Sequence, residues 1–173
     1  MLLWLLLILF FCESFTLRSK FTNISAVCSH EFCSSIKAWL TAKDEVNLDI
    51  HLNNTLRNGL RTTLTLQQLM DGQNRYQTLF SYDMDTCQTL RNLLQGSLMK
   101  IWLRNVFKYG NLTERCPIKP AYYNIRNFQL ETHSIPGYLP SGFYRLHDTN
   151  YYGKPKGRQR RSVATFILDV KFY

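Results

Sequence analysis

The chain has 173 residues, 45% hydrophobic and 14% aromatic, and its 21 Lys and Arg outnumber 12 Asp and Glu for a formal charge of +9. That length holds one domain with a real core. A cationic excess of this size would suit nucleic acid, anionic lipid or acidic glycans. Outside Lys154–Arg161 the cations are dispersed, so a solvated basic surface is the preferred reading.

The first feature along the chain is an apolar run from Leu2 to Phe11, ended by Cys12 and Glu13. It is shorter than the about 20 apolar residues that cross a bilayer and fits the core of a signal peptide. Cys12 and Ser14 would be the small residues at the −3 and −1 positions of a cut before Phe15, although the usual basic start is missing. The expected organisation is therefore a leader over 1–14 and a single domain over 15–173, secreted and not membrane-spanning once the leader is removed. The alternative is an uncleaved anchor. Removing the leader takes Glu13 and leaves 21 basic residues against 11 acidic ones. Secretion argues against a nucleic-acid partner.

Four cysteines then remain: Cys28, Cys33, Cys87 and Cys116. An even count in a secreted chain points to two disulfides, for which the sequence alone allows three connectivities. Zinc is the rival use, and the absence of any Cys-x-x-Cys pair counts against it. Three glycosylation sequons begin at Asn23, Asn53 and Asn111, and each must sit on the surface if it is used.

Most of the chain alternates apolar and polar residues with a period of two, the signature of half-buried strands. Ile36 to Thr41 is predicted as a strand. In the next, Val46, Leu48, Ile50 and Leu52 share a face, and in the following one Leu60, Thr62, Leu64 and Leu66 do so. Asn58-Gly59 between them is a strong turn signal, so the pair is expected to form an antiparallel hairpin. Tyr76 to Tyr82 follows as another strand. Leu90, Leu93, Leu94, Leu98, Ile101, Trp102 and Val106 then recur at helical spacing, predicting an amphipathic helix over Gln88–Phe107. Asp85 stands at its N-cap, Gly96 weakens its middle, and Tyr109-Gly110 ends it. Strands resume over Ala121–Glu131, Phe143–Leu146 and Val163–Tyr173, with Pro136, Gly137, Pro140 and Gly142 marking a loop between the first two. Many short strands and one inserted helix (about 88–107) predict a mostly β fold, an immunoglobulin-like antiparallel β-sandwich or cup. The apolar face of that helix must pack over a sheet or plug one end of the cup.

Three groups of residues carry a family resemblance. Asp85-Thr86-Cys87 leads through the helix to Cys116-Pro117; Leu139-Pro140 is followed by Gly142, Tyr144 and Arg145; and Phe21-Thr22-Asn23-Ile24 precedes Cys28, with Cys33 ahead of Ile36-Lys37-Ala38. Together they resemble a family of secreted insect proteins built on a domain of unknown function, which includes the CheB proteins linked to pheromone responses. More distantly they resemble the ganglioside activator protein and the ML lipid-recognition domains. The resemblance implies pairing of Cys87 with Cys116, leaving Cys28 with Cys33, and a sandwich that holds an apolar ligand without doing chemistry on it. The ganglioside activator has further cysteines that this chain lacks, so a ganglioside-specific role does not carry over.

Candidate lining residues for such a cavity are Trp39, Leu79, Phe80, Leu98, Trp102, Phe128, Leu130 and Phe143. The plainer alternative is that each of them packs the core. Arg158-Gln159-Arg160-Arg161 fits a processing site, but a cut there would have to release the final strand. A solvated hairpin loop, turned by Gly153, Pro155 and Gly157, is preferred. His30, His51, His133 and His147 are scattered, and no nucleophile elbow or phosphate-binding glycine loop occurs. Asp83 and Asp85 could share a face as an acid/base pair, although capping the helix explains Asp85 better. The expectation is a non-enzymatic protein without cofactor or metal. Its function would be to bind a lipid or small hydrophobic ligand, in a chemosensory or reproductive setting related to pheromones. The alternative is an extracellular module that acts on a receptor or channel through Lys154–Arg161 and exposed Tyr151 and Tyr152.

Overall fold

The structure, a computed structural model, describes residues 17–70, 75–91, 98–113, 115–132, 135, 139–155 and 159–173, with the backbone alone for 98–102. Eight strands run in chain order: β1 (Ser19–Cys28), β2 (Cys33–Leu40), β3 (Val46–Leu52), β4 (Leu60–Met70), β5 (Arg75–Asp85), β6 (Tyr122–Phe128), β7 (Gly142–Tyr152) and β8 (Arg161–Phe172). Two helical segments, α1 (Thr86–Arg91) and α2 (Leu98–Phe107), lie between β5 and β6. The expected helix over Gln88–Phe107 thus starts two residues earlier, and the stretch with Gly96 lies outside the described residues. The Asp85 carboxylate accepts from the Gln88 amide at 2.7 Å and caps α1.

The strands form two antiparallel sheets, one ordered β1-β8-β7-β4-β5 and the other β2-β3-β6. This is the expected mostly β sandwich. Its inner faces follow the alternation in the sequence. On β4, Leu60, Thr62, Leu64 and Leu66 are buried while the intervening residues are half-exposed. The main core joins Phe21, Leu66, Tyr144, Val170 and Phe172 of the large sheet to Val46, Leu48, Ile125 and Phe128 of the small one.

The expected β3–β4 hairpin does not form. β3 lies in the small sheet and β4 in the large one. The seven-residue link 53–59, which turns at Gly59 with φ +89°, carries the chain across the sandwich. Alternation states which face of a strand is buried, and the same pattern serves two strands side by side or two strands facing each other. A first strand, β1, also lies where none was expected. Its register slips between Phe21 and Asn23, and this bulge breaks the two-residue period on which a sequence reading depends.

β8 lies inside the large sheet, paired on both edges by β1 and β7. Arg161 is already part of it and pairs with Glu31 at 2.6 Å. Tyr151, expected to be exposed, is 1% exposed. The Arg160 guanidinium covers its ring at 4.4 Å, and its hydroxyl donates to Asp83.

The four described cysteines form the bridges Cys28–Cys33 and Cys87–Cys116, with Cα separations of 6.2 and 5.6 Å. The second spans 29 residues and ties α1 to the segment before β6. By restricting the unfolded chain it contributes about 3 kcal/mol. Replacing both Cys87 and Cys116 with serine is expected to lower the unfolding free energy in urea by about that amount, and replacing Cys28 and Cys33 by less. Equal losses from the two pairs would contradict this assignment.

Candidate ligand cavity

At the end of the sandwich where β1 finishes and β8 begins, a second apolar cluster gathers Phe32, Cys33, Leu52, Leu56, Leu60, Val163 and Ala164. It does not fill its space. A cavity of about 210 Å³ lies against it. β3 supplies Ile50 and Leu52, the 53–59 link Leu56, β4 Leu60, and β8 Val163, Ala164 and Phe166. The opposite wall comes from Thr86 and Leu90 of α1, Phe107 of α2, and Leu112, Thr113, Ile118 and Tyr123. A bridge between Leu56 and Ile118 closes link and wall together. The chain folds this way locally because the helices and the 108–121 segment cover a part of the large sheet that the three-stranded sheet leaves bare.

One polar line crosses this apolar surface. Thr62 donates to the Asn150 side-chain oxygen at 2.7 Å, and its own hydroxyl oxygen accepts from Thr86 at 2.8 Å. The Asn150 amide donates in turn to the Asp148 carboxyl. Asp148 lies opposite Leu64 on β4 and Phe166 on β8, on the inward face that Asn150 also occupies. Burial raises its pKa to about 7, against which the Asn150 hydrogen bond works only partly. It nonetheless keeps some accessible surface, as a carboxyl does that is enclosed by protein but borders empty interior volume.

The outward faces carry a different chemistry. Asp83, which burial alone would raise, is held below its ordinary value by hydrogen bonds from Tyr151, Thr63 and Arg61 and by the Arg61 charge. Asp49 is likewise lowered: burial opposes, and hydrogen bonds from Tyr122 and Arg126 win. With Asp83 so engaged and Asp85 capping α1, both carboxylates of the conceivable acid/base pair have structural partners.

The candidate lining residues fall elsewhere. Trp39 lies on the outer face of the small sheet, with Lys37 and Arg126 at 5.2 and 5.4 Å from its ring. Leu79 and Phe80 are exposed on the edge strand β5, and Phe143 is exposed on β7 with Lys171 over its ring. Phe128 is buried in the main core, and Leu130 packs against it. Leu130 also borders a polar cleft of about 400 Å³ at the opposite end of the sandwich, lined by Arg18, Lys20 and Lys43 among others. The side chains of Leu98 and Trp102 lie outside the described residues. The residues that do form the wall, Leu56, Leu60, Leu90, Ile118 and Val163, carried only ordinary apolar signals. Asp148 and Asn150 carried none, because a polar residue at an inward position looks like a break in the pattern. The sequon residues Asn23, Asn53 and Asn111 are all exposed.

Residues 61–146 match a family described as a protein of unknown function, DUF1091. The matched stretch runs from β4 into β7 and contains the Cys87–Cys116 bridge, both helical segments and part of the cavity wall. A family defined by a domain of unknown function is therefore supported. No curated protein matches the chain. Among the described residues no helix is long and apolar enough to cross a membrane, and no cluster of metal ligands occurs.

Asp148 makes stability depend on pH. Its folded-state pKa of about 7 stands above the ordinary 3.8, so the folded chain binds more protons than the unfolded one between those values and loses stability as pH rises through them. Asp49 and Asp83 are shifted the other way and act only below about pH 4. From about pH 5 to pH 8 the unfolding free energy is expected to fall by about 2 kcal/mol in the natural chain and to stay flat in Asp148→Asn. Denaturant titrations at the two pH values check this, and parallel curves for both proteins would refute it.

Proposed function

We propose that this chain is a secreted binding protein for a lipid or small hydrophobic ligand, carried in the cavity between the sheets. The observation that carries the reading is the cavity itself, apolar and bounded by both sheets and both helical segments. Left empty, about 210 Å³ of apolar void costs on the order of 5 kcal/mol relative to a filled interior. That is a large fraction of the about 5–15 kcal/mol that stabilises a typical domain. A ligand with an apolar chain recovers this loss by burying surface at roughly 25 cal/mol per Å². The two disulfides suit an extracellular setting. The resemblance to the secreted insect family and to the lipid-recognition domains points the same way and makes a pheromone-related ligand the favoured class. The rival reading, an interaction module acting on a receptor or channel through the basic loop, is less favoured. Arg160 and Arg161 lie over Tyr151, Phe32 and Tyr152 of the same chain, and Arg161 pairs with Glu31.

The test is to purify the protein from the medium of expressing insect cells, extract it with organic solvent and identify the extract by mass spectrometry. A stoichiometric lipid or hydrocarbon is expected, absent from Ala164→Phe, whose added ring occupies the cavity. A clean extract that stays clean after lipids are added sinks the carrier reading.

A further inference from the structure

The polar line on the cavity wall ends on a group with spare capacity. The single proton of the Thr62 hydroxyl goes to Asn150, so Thr86 must donate to Thr62. The Asn150 amide then donates to one oxygen of Asp148. Among the described residues the other oxygen of Asp148 has no hydrogen bond, and the carboxyl has no ion pair. Such a group on an apolar wall remains unsatisfied unless something in the cavity meets it.

Building on the reading that this cavity carries a hydrophobic ligand, we infer that Asp148 is the ligand's polar anchor and that the ligand is an uncharged apolar chain ending in a hydrogen-bond-accepting oxygen, such as an ester or ketone carbonyl. The chemistry follows from the protonation state. With a pKa of about 7, Asp148 carries its proton in mildly acid solution, and its O–H is then a free donor. A carbonyl accepts that bond. A hydrocarbon leaves the O–H unpaired, and a carboxylate would place a second desolvated acid beside the first. Leu64 of β4, Phe166 of β8, Thr86 and Leu90 of α1, Ile50 of β3 and Tyr123 of β6 face this space. Tyr123 is the titratable group among them, and burial pushes its pKa further above 10. Asp148 is thus the group there whose charge changes near neutrality.

The experiment measures binding of octane, methyl octanoate and octanoate to the delipidated secreted protein by calorimetry at about pH 5.5 and about pH 8.5, on either side of the Asp148 titration. At the lower pH the ester is expected to bind about tenfold more tightly than octane, or about 1.4 kcal/mol, and to lose that advantage at the higher pH. Asp148→Asn keeps an N–H donor at every pH and should hold the preference at both. Asp148→Leu should abolish it while leaving octane binding unchanged. If that variant does not fold, the natural protein and the asparagine variant decide the matter. Equal binding of ester and octane at the lower pH overturns the anchor and leaves the carrier reading standing. So does a preference in Asp148→Asn that still disappears at the higher pH. Failure of all three compounds to bind overturns both.

Discussion

A five-stranded sheet faced by a three-stranded one cannot be fully covered by it. This mismatch governs the rest of the molecule. β2, β3 and β6 close over β1, β8 and β7 and form the main core there. The inner faces of β4 and β5 need another cover. Where none is close, apolar residues stay exposed: Tyr82 and Phe80, opposite Leu64 and Leu66 in register, are 57% and 39% exposed. Elsewhere α1 and the segment before β6 do the covering, and the Cys87–Cys116 bridge fixes one to the other. Cys87 itself is fully buried. Irregular chain fills such a gap less completely than a third layer of regular structure would, and the remainder is the cavity.

The same mismatch explains why a polar line can exist inside. Inward positions on β7 that lie under the main core are apolar or satisfied locally: Tyr144 is fully buried and donates to the Pro140 carbonyl at 2.8 Å. Further along the same face, beneath the helices, the inward residues are Asp148 and Asn150. A dry, close-packed interior would make them costly. Beside a cavity they become tolerable, because each is partly satisfied by a neighbour on the sheet and can be completed by a guest. Fold, void and unsatisfied carboxyl are therefore linked, and the ligand would complete both the packing and the hydrogen bonding.

Much of this fold is legible in the sequence, for a reason that also sets the limit. Strands β3, β4 and β8 carry strict alternation, so their buried faces can be read residue by residue. The Asp85 cap is equally local. What depends on neighbours in space is not legible. The identical patterns of β3 and β4 do not say that they lie in opposite sheets. The bulge in β1 hides a strand, and Trp39 is large and apolar yet packs outside, under the cations of Lys37 and Arg126. Aromatic size was the signal used to nominate lining residues, whereas the wall is built mainly of leucine, isoleucine and valine at ordinary core positions. A cavity is a property of what fails to meet across a gap, and no single segment records it.

The existence of that void is best tested by a crystal structure of the delipidated protein under xenon pressure, since xenon enters apolar cavities of this kind. Xenon density between Leu60, Leu90 and Val163, with the surrounding side chains unmoved, is the expected result. A xenon-free interior in which Leu56, Leu90 and Phe107 have closed together would contradict it.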